Sequence, residues 1–473
     1  MMHGSRNERE NSPMSSSPMV KAPFLSKPAS WLFQKSHGEK LFVAALAIYI
    51  FSYLPALAAY RDAESVMILV FLWLVFVAGR KTGLRSRVLH DPLFLTCVAM
   101  LVFLILARLW YTYSLPPGID PEIRETRYFL KPIMAFLVAL GLGVIARPYR
   151  WALMFLSILG LAVYLLTTVG THYWSNALAG RRTDFGIHNA QHTAMFFGAA
   201  LIGIVCFMAR TVNASSSRWR LATMPAVVLT FAVVAFGFTA TETRAAWLGL
   251  FMAGTIGLVT TASLMWISRK KIYKERTSKA IVVLALLLMF GTLLAGLNTS
   301  ERFKDPFNHQ TLTLEQYFAI PDYNSDPRTS RGVRLLSWRV ALEWLKERPL
   351  VGWGPGSAED LIDHSDFFSD WFKKNFGHMH DSFVESLVAN GLLGSAIQLA
   401  MIIWLGVATF IAHRKGRMPD DVFVFALSFF GFWVAINLFE SYILYTTGHY
   451  INAVVGGFIY SFYLQSHDED VNQ

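Results

Sequence analysis

Residues Arg244–Lys279 read RAAWLGLFMAGTIGLVTTASLMWISRKKIYKERTSK. One arginine precedes an apolar run over 246–267, and six of the twelve residues that follow the run are Lys or Arg. A run of this length crosses a hydrocarbon core of about 30 Å as a helix. Its ends orient it, because Lys and Arg collect on the cytoplasmic side of a membrane. The stretch therefore reads as a membrane helix entered from outside and left through a basic cytoplasmic loop, which makes the fold class an all-α polytopic membrane protein.

The rest of the 473 residues agrees with that reading. The chain is 54% hydrophobic and 16% charged, against about 25% charged in an ordinary soluble protein. Apolar runs of about 17–25 residues recur near 41–59, 65–79, 93–113, 129–146, 151–169, 191–209, 220–238, 246–267, 280–297, 384–411, 422–442 and 449–465, about twelve membrane helices in all. With the N-terminus inside, the cytoplasmic loops carry about 18 Lys and Arg and the opposite short loops about six. Both termini are then cytoplasmic. The formal charge of +10 belongs to these loops and implies no nucleic-acid partner. Cys97 and Cys206 both lie inside apolar runs, which argues against a disulfide framework and against a thiolate metal site. Five segments follow: a disordered cytoplasmic tail over 1–38, nine helices over 39–297, a large outward loop over 298–383, three helices over 384–466 and a short tail over 467–473.

The outward loop holds two helical patterns. In SRGVRLLSWRVALEWLKERP, Ser330 is the expected cap, Pro349 the stop, and Leu335, Trp338, Leu342 and Leu345 form one stripe. In SDFFSDWFKKNF, Phe368, Trp371 and Phe372 oppose charged residues, as in a helix lying in the membrane interface. Between them GWGPG (352–356) is a turn, without the strand, lysine or spacing of a phosphate-binding loop.

Outward arginines are informative because the orientation rule does not require them. Arg244 edges its helix, Arg181 and Arg182 share a loop, and Arg331 and Arg334 open the first loop helix. Each can snorkel to lipid headgroups or use its planar fork of donors on a phosphate. Beyond the loop, FGHMHDSFVESLVANGLLG (376–394) sets His378, His380 and Asp381 before an apolar run. They read as metal ligands, as interfacial residues or as a general base with its support. A metal needs about three or four ligands, and no second cluster is visible near the pair. If the helix extended back over His378, the two rings would point about 200° apart. A competing acidic pair, Asp62 and Glu64 in the expected first outer loop, is alternatively a charged turn capping a helix.

Three stretches carry a family resemblance. RLLSWRVALEWLKERPLVGWGPGS followed by HMHDSFVESLVANGLLG, together with TETRAAWLG, resembles the O-antigen ligases, O-antigen polymerases and bacterial O-linked oligosaccharyltransferases. Asp381 stands where Asn is commoner in that family, and Thr243 where Ser is. One large outward loop, and no Gly eleven residues after Arg181, Arg182, Arg331, Arg334 or Arg339, resemble the ligases more than the polymerases. A short tail after the last helix sets the chain apart from the protein-glycosylating branch.

The resemblance implies a GT-C-like fold, with the loop as a lid, in the inner membrane of a Gram-negative bacterium. It implies a metal-independent, cofactor-free, inverting transfer of polysaccharide from undecaprenyl pyrophosphate to a hydroxyl of lipid A–core at the periplasmic face. His380 would be the catalytic base and Arg244 and Arg334 the pyrophosphate ligands. Arg181, Arg182 and Arg331 would be secondary ligands, and Asp381, Trp338 and His378 supporting residues. The partners would be the lipid-linked glycan, lipid A–core and membrane lipids, and the protein a monomer. The alternatives are a polymerase or protein glycosyltransferase of the same superfamily, a metal-dependent glycosyltransferase built on Asp62 and Glu64, or a lipid-linked-sugar flippase.

Overall fold

The computed structural model describes residues 35–78, 83–214, 217–267, 321–327 and 329–465. The tail before residue 35, the expected helix at 280–297, the basic loop before it and most of the large loop's first third lie outside these residues. So do residues 467–473.

Among the described residues the chain is helical, without a strand. Eight helices are long and apolar enough to cross a membrane: Pro92–Ser114, Glu125–Ile145, Arg147–Thr167, Ala190–Asn213, Ala222–Ala240, Arg244–Trp266, Ser382–Arg414 and Asp420–Asn437. Three more of the expected twelve appear in shorter or broken form. These are α1 (His37–Ser52), α2 (Leu57–Leu72), which runs on as a π turn over Trp73–Ala78, and α17 (Thr446–Ile451), joined through a π turn to α18 (Gly457–Leu464). The first two are shifted from the sequence expectation. Tyr60 to Ser65 form the first turns of α2 rather than an outer loop. Glu64 is ion-paired with Lys131 and Asp62 is exposed, so no acidic pair is assembled there.

The remaining elements are α3 (Leu84–Leu89), α4 (Pro92–Ser114), α5 (Ile123–Leu130), α6 (Pro132–Leu140), α7 (Arg150–Thr167), α8 (Thr171–Leu178), α9 (Ala190–Ala214), α10 (Ser217–Ala240), α11 (Arg244–Ile267), α12 (Ser330–Glu347), α13 (Ser357–His364), α14 (Asp370–Asn375), α15 (Ser382–Arg414) and α16 (Asp420–Asn437). The most extensive packing joins α11 to α16. Gly249, Ala253 and Gly257 recur every fourth residue on α11, and Phe432 and Ser428 of α16 fill the space where side chains would stand. Small residues at this spacing let two helices approach closely in a medium that supplies no hydrophobic drive between them.

The loop helices have a core of their own. Val333, Leu336, Val340, Ala341 and Trp344 of α12 pack with Trp353, Ile362, Phe368, Phe372 and Met379. That core uses a different face of α12 from the expected stripe: Leu342 is exposed and Leu335, Trp338 and Leu345 are only half-buried. The cap is Thr329, whose hydroxyl accepts from Gly332 N at 3.0 Å. The aromatic pattern after Ser365 likewise does not form an interfacial helix. Ser369 caps only the six-residue α14, and Phe368 and Phe372 turn into the core.

A broken helix fastens this layer to the bundle. Gly391 interrupts α15 with φ 58°, ψ −164°. The groups freed by the break pair with the turn after α12. Leu392 N and Leu393 N donate to the carbonyls of Pro349 (2.8 Å) and Leu350 (3.0 Å), while Trp353 N and Gly354 N donate to those of Val388 (2.9 Å) and Ala389 (2.8 Å). Unpaired backbone groups are expensive in an apolar layer, so break and turn need each other. A Cβ on Gly352 would stand 2.5 Å from Gly391 N, which is why the G-W-G segment has no side chain there.

Candidate functional site

α15 begins with Asp381 as its cap, Oδ1 accepting from Phe383 N at 2.8 Å and Val384 N at 3.0 Å. The helix therefore does not reach back to the histidines. His380 sits in the left-handed region at φ 55°, which a non-glycine residue adopts only when its neighbours enforce it. Two hydrogen bonds do so: Met379 N donates to Glu385 Oε2 at 2.8 Å and Asp381 N to Ser441 Oγ at 3.2 Å. The left-handed turn brings together the two rings that a helix would have parted. Their centroids are 4.1 Å apart.

The partner of the pair is Glu440, some sixty residues downstream in the short connection between α16 and α17, and 2% exposed. His378 Nε2 lies 3.1 Å from Glu440 Oε1, and His380 Nδ1 lies 4.0 Å from the same oxygen. Glu440 is itself held in place. Ser441 N donates to Oε1 at 3.1 Å, Gln191 Nε2 donates to Oε2, and its carbonyl accepts from Ser382 Oγ at 2.9 Å. In the sequence Glu440 falls within the expected helix 422–442, so Asp381 is the carboxylate that the linear chain places beside the pair. The helix in fact ends at Asn437.

Burial raises the Glu440 carboxyl, but the His378 hydrogen bond and the neighbouring imidazoles reverse this and hold it at about 2. Burial opposes protonation of His378, yet the Glu440 contact outweighs it and raises its pKa. His380 has the reverse fate. Burial, then the charge of His378, pull it down to about 3. Neither of its ring nitrogens has a hydrogen-bond partner. The site thus holds an anion, a charge-supported imidazole and a neutral, unclaimed imidazole side by side.

The cationic side comes from α12 and α11. Arg334 Nη2 donates to Phe439 O at 2.9 Å and Nη1 to Ser330 O at 3.0 Å, while the buried Nε is unpaired. Burial lowers its pKa, Glu440 and Asp381 oppose that shift, and Arg244 is close enough to add a repulsive contribution. Arg244 is exposed at the first turn of α11. Arg181 and Arg182 are exposed, and Arg182 Nε donates to Thr241 O at 3.1 Å, three residues before Arg244. Arg331 is half-buried on the first turn of α12. Trp338 is half-buried, with its indole N–H unpartnered.

A third wall was not singled out from sequence. His192 of α9 is fully buried, with Nε2 unpartnered, and packs edge-on against Tyr442 and Tyr445 at 4.8 and 4.7 Å. His188 lies 4.6 Å from His192 and 4.5 Å from Tyr445, centroid to centroid. The available signal was the pair of histidines four residues apart in IHNAQH at the mouth of an apolar run, the same placement that drew attention to His378 and His380.

Behind Ser382 and Phe383 a cavity of about 290 Å³ runs between helices. Its walls are largely apolar, with Met401, Leu405, Phe429, Trp433 and Ile459 among them, and Lys131 and His449 also line it.

Residues 226–399 match the family described as O-antigen ligase, a match that supports membership of the O-antigen ligase superfamily. A protein of Haemophilus influenzae described as uncharacterized is 31% identical over 147 residues, 30% of this chain and 35% of that protein. The chain thus matches about a third of the length of that relative.

Proposed function

We propose, from the match to that family over residues 226–399, that the protein is an O-antigen ligase. It would take a polysaccharide from undecaprenyl pyrophosphate to a sugar hydroxyl of lipid A–core at the periplasmic face of a Gram-negative inner membrane. The observation that carries this reading is an unpartnered imidazole, His380, within electrostatic reach of Arg334, which Arg244 in turn influences, at one end of an apolar helical bundle.

Pyrophosphate is already a good leaving group, so catalysis reduces to neutralising charge and aligning the attacker. The free Nε edge of Arg334 and the exposed fork of Arg244 supply charge-assisted donors to phosphate oxygens. His380, neutral and without a hydrogen bond, accepts the proton of the attacking hydroxyl at a ring nitrogen. The hydroxyl oxygen bonds to the anomeric carbon from the face opposite the departing phosphate, which leaves with the bonding electrons, and the configuration inverts. A bound pyrophosphate brings negative charge beside His380 and raises its proton affinity, so the base strengthens when the donor is in place. His378, bonded to Glu440 and packed 4.1 Å from the His380 ring, sets the surroundings of that ring. The apolar cavity behind Ser382 has the character needed for a polyprenyl chain.

The test is transfer by the purified chain in lipid nanodiscs from a lipid-pyrophosphate-linked glycan, offered lipid A–core, a growing glycan or an acceptor protein. Product on lipid A–core alone, at a rate unchanged by EDTA, is the expected outcome. Product on either other acceptor would move the protein to another branch of the superfamily. Loss of turnover in EDTA, restored by a divalent ion, would overturn the arginine mechanism.

A further inference from the structure

We propose that His378, His380 and Glu440 form a three-ligand site for a divalent transition-metal ion of the zinc class, and that occupation of this site shuts off transfer. The second half rests on the reading of His380 as base; the first does not.

Two imidazoles and a carboxylate are a zinc-class donor set, whereas magnesium and calcium take oxygen ligands in larger number. Tetrahedral zinc with bonds of about 2.0–2.2 Å sets neighbouring ligand atoms roughly 3.3 Å apart. His378 Nε2 and Glu440 Oε1 already stand 3.1 Å apart, and His380 Nδ1 is 4.0 Å from the same oxygen. One ligand atom from each of the three lies within 4.8 Å of the others. A movement of the His380 ring by roughly 1–1.5 Å closes the set to tetrahedral spacing. No hydrogen bond holds that ring back, since both its nitrogens are buried and unpartnered.

The outer contacts are also those of a metal site, where groups behind the ligands fix their orientation. Glu440 is steadied by Gln191 and Ser441 N, and the His378–Asp381 backbone by Glu385 and Ser441. Three protein ligands leave a fourth position open. Inhibition follows from the lone pair: a metal bonded to His380 uses the electrons that would take the hydroxyl proton.

Binding is measured first, on the full-length chain in detergent, by Co2+ absorption and by titration with Zn2+ alone. The expected result is saturable binding of one ion per chain, with tetrahedral Co2+ bands. Glu440→Gln and His378→Ala should each weaken it by at least about 100-fold, since even supporting groups of metal sites contribute 10- to 100-fold. His413→Ala, which removes an imidazole paired with Asp420 (2.9 Å) elsewhere in the chain, should leave it unchanged. Each variant is first shown to keep the wild-type thermal transition and monodisperse elution. Absence of stoichiometric binding, or binding undiminished in both site variants, overturns the site.

In the transfer assay, Zn2+ should inhibit at the concentration that half-fills the site, and EDTA should reverse it, while Mg2+ does neither. Full activity with the site filled overturns the regulatory half. If the metal-free chain transfers nothing to any acceptor, the proposed function fails, and the binding curves still decide the metal site.

Discussion

The two ends of the bundle treat buried charge differently. At the end where α4 and α16 begin and α15 and α18 finish, Arg150 donates through Nε to Leu142 O (3.1 Å) and through Nη2 to Gln465 Oε1 (2.9 Å), and its guanidinium stacks 3.9 Å over Phe462. Asp91 accepts from Leu93 N, Phe94 N and the Tyr460 hydroxyl. Arg210 grips Asp421 with both fork arms, at 2.6 and 2.7 Å. At the other end, Arg334 keeps a buried Nε idle, His380 has two idle nitrogens, and His192 and Trp338 have one each. A buried polar atom without a partner destabilises a fold by about 1–3 kcal/mol. An end with several of them is held open for a ligand, and an end with satisfied charges is holding helices together.

The comparison can be broken most directly at His380. His380→Ala should reduce transfer about 10²- to 10⁴-fold, the usual loss for a general base, with the thermal transition kept or raised because two idle nitrogens are gone. Measurement is lipopolysaccharide ladder formation in a ligase-deficient strain at matched protein level, with scanning fluorimetry of the pure variant. A full ladder from His380→Ala would remove the residue from catalysis.

Arg334→Ala should follow with a loss of roughly 10- to 150-fold, corresponding to about 1.5–3 kcal/mol for a charge-assisted contact to phosphate. Lys should rescue poorly, since it lacks the fork. Arg244→Ala should fall in the same range. An unchanged initial rate for either in the nanodisc assay assigns that arginine to lipid headgroups instead.

His378 is more exacting. A helix extended back over His378 would aim it away from His380 and make its loss mild. The shared Glu440 contact now predicts a drop of about tenfold, the equivalent of one charge-assisted hydrogen bond of about 1.5 kcal/mol. Glu440→Gln should act through the same contact, so the double variant should be little worse than either single one. Additive losses in that cycle would mean that the two residues work separately.

The smallest effect on activity is expected at the other end. Arg150→Met removes the hydrogen bonds to Leu142 O and Gln465 Oε1 and should cost about 1–3 kcal/mol of stability, read as a lowered melting temperature, while turnover per folded molecule stays near wild type. A selective loss of turnover there would erase the distinction between the ends.

Much of this was legible in the linear chain, for a local reason. Apolar length decides membrane helices because in hydrocarbon the backbone must satisfy itself. Arg244, Arg334 and His380 stood out because charge and imidazole at a helix mouth are unusual wherever the chain goes next. The motifs GWGPG and HMHD were visible as turns and polar residues, and their family resemblance agrees with the match over residues 226–399.

What the tertiary structure alone decided is which groups meet. Glu440 joins His378 because Glu385 and Ser441 tie two distant connections together. The left-handed His380 exists only under those bonds. The face of α12 that is buried was set by the neighbouring Trp353 and Phe372, not by the strongest stripe on the helix. The break at Gly391 is stable because the Pro349–Gly354 backbone supplies its missing partners. Apolar length and helix caps act over a few residues and can be read in order, whereas a hydrogen bond across sixty residues depends on where two separate helices happen to end.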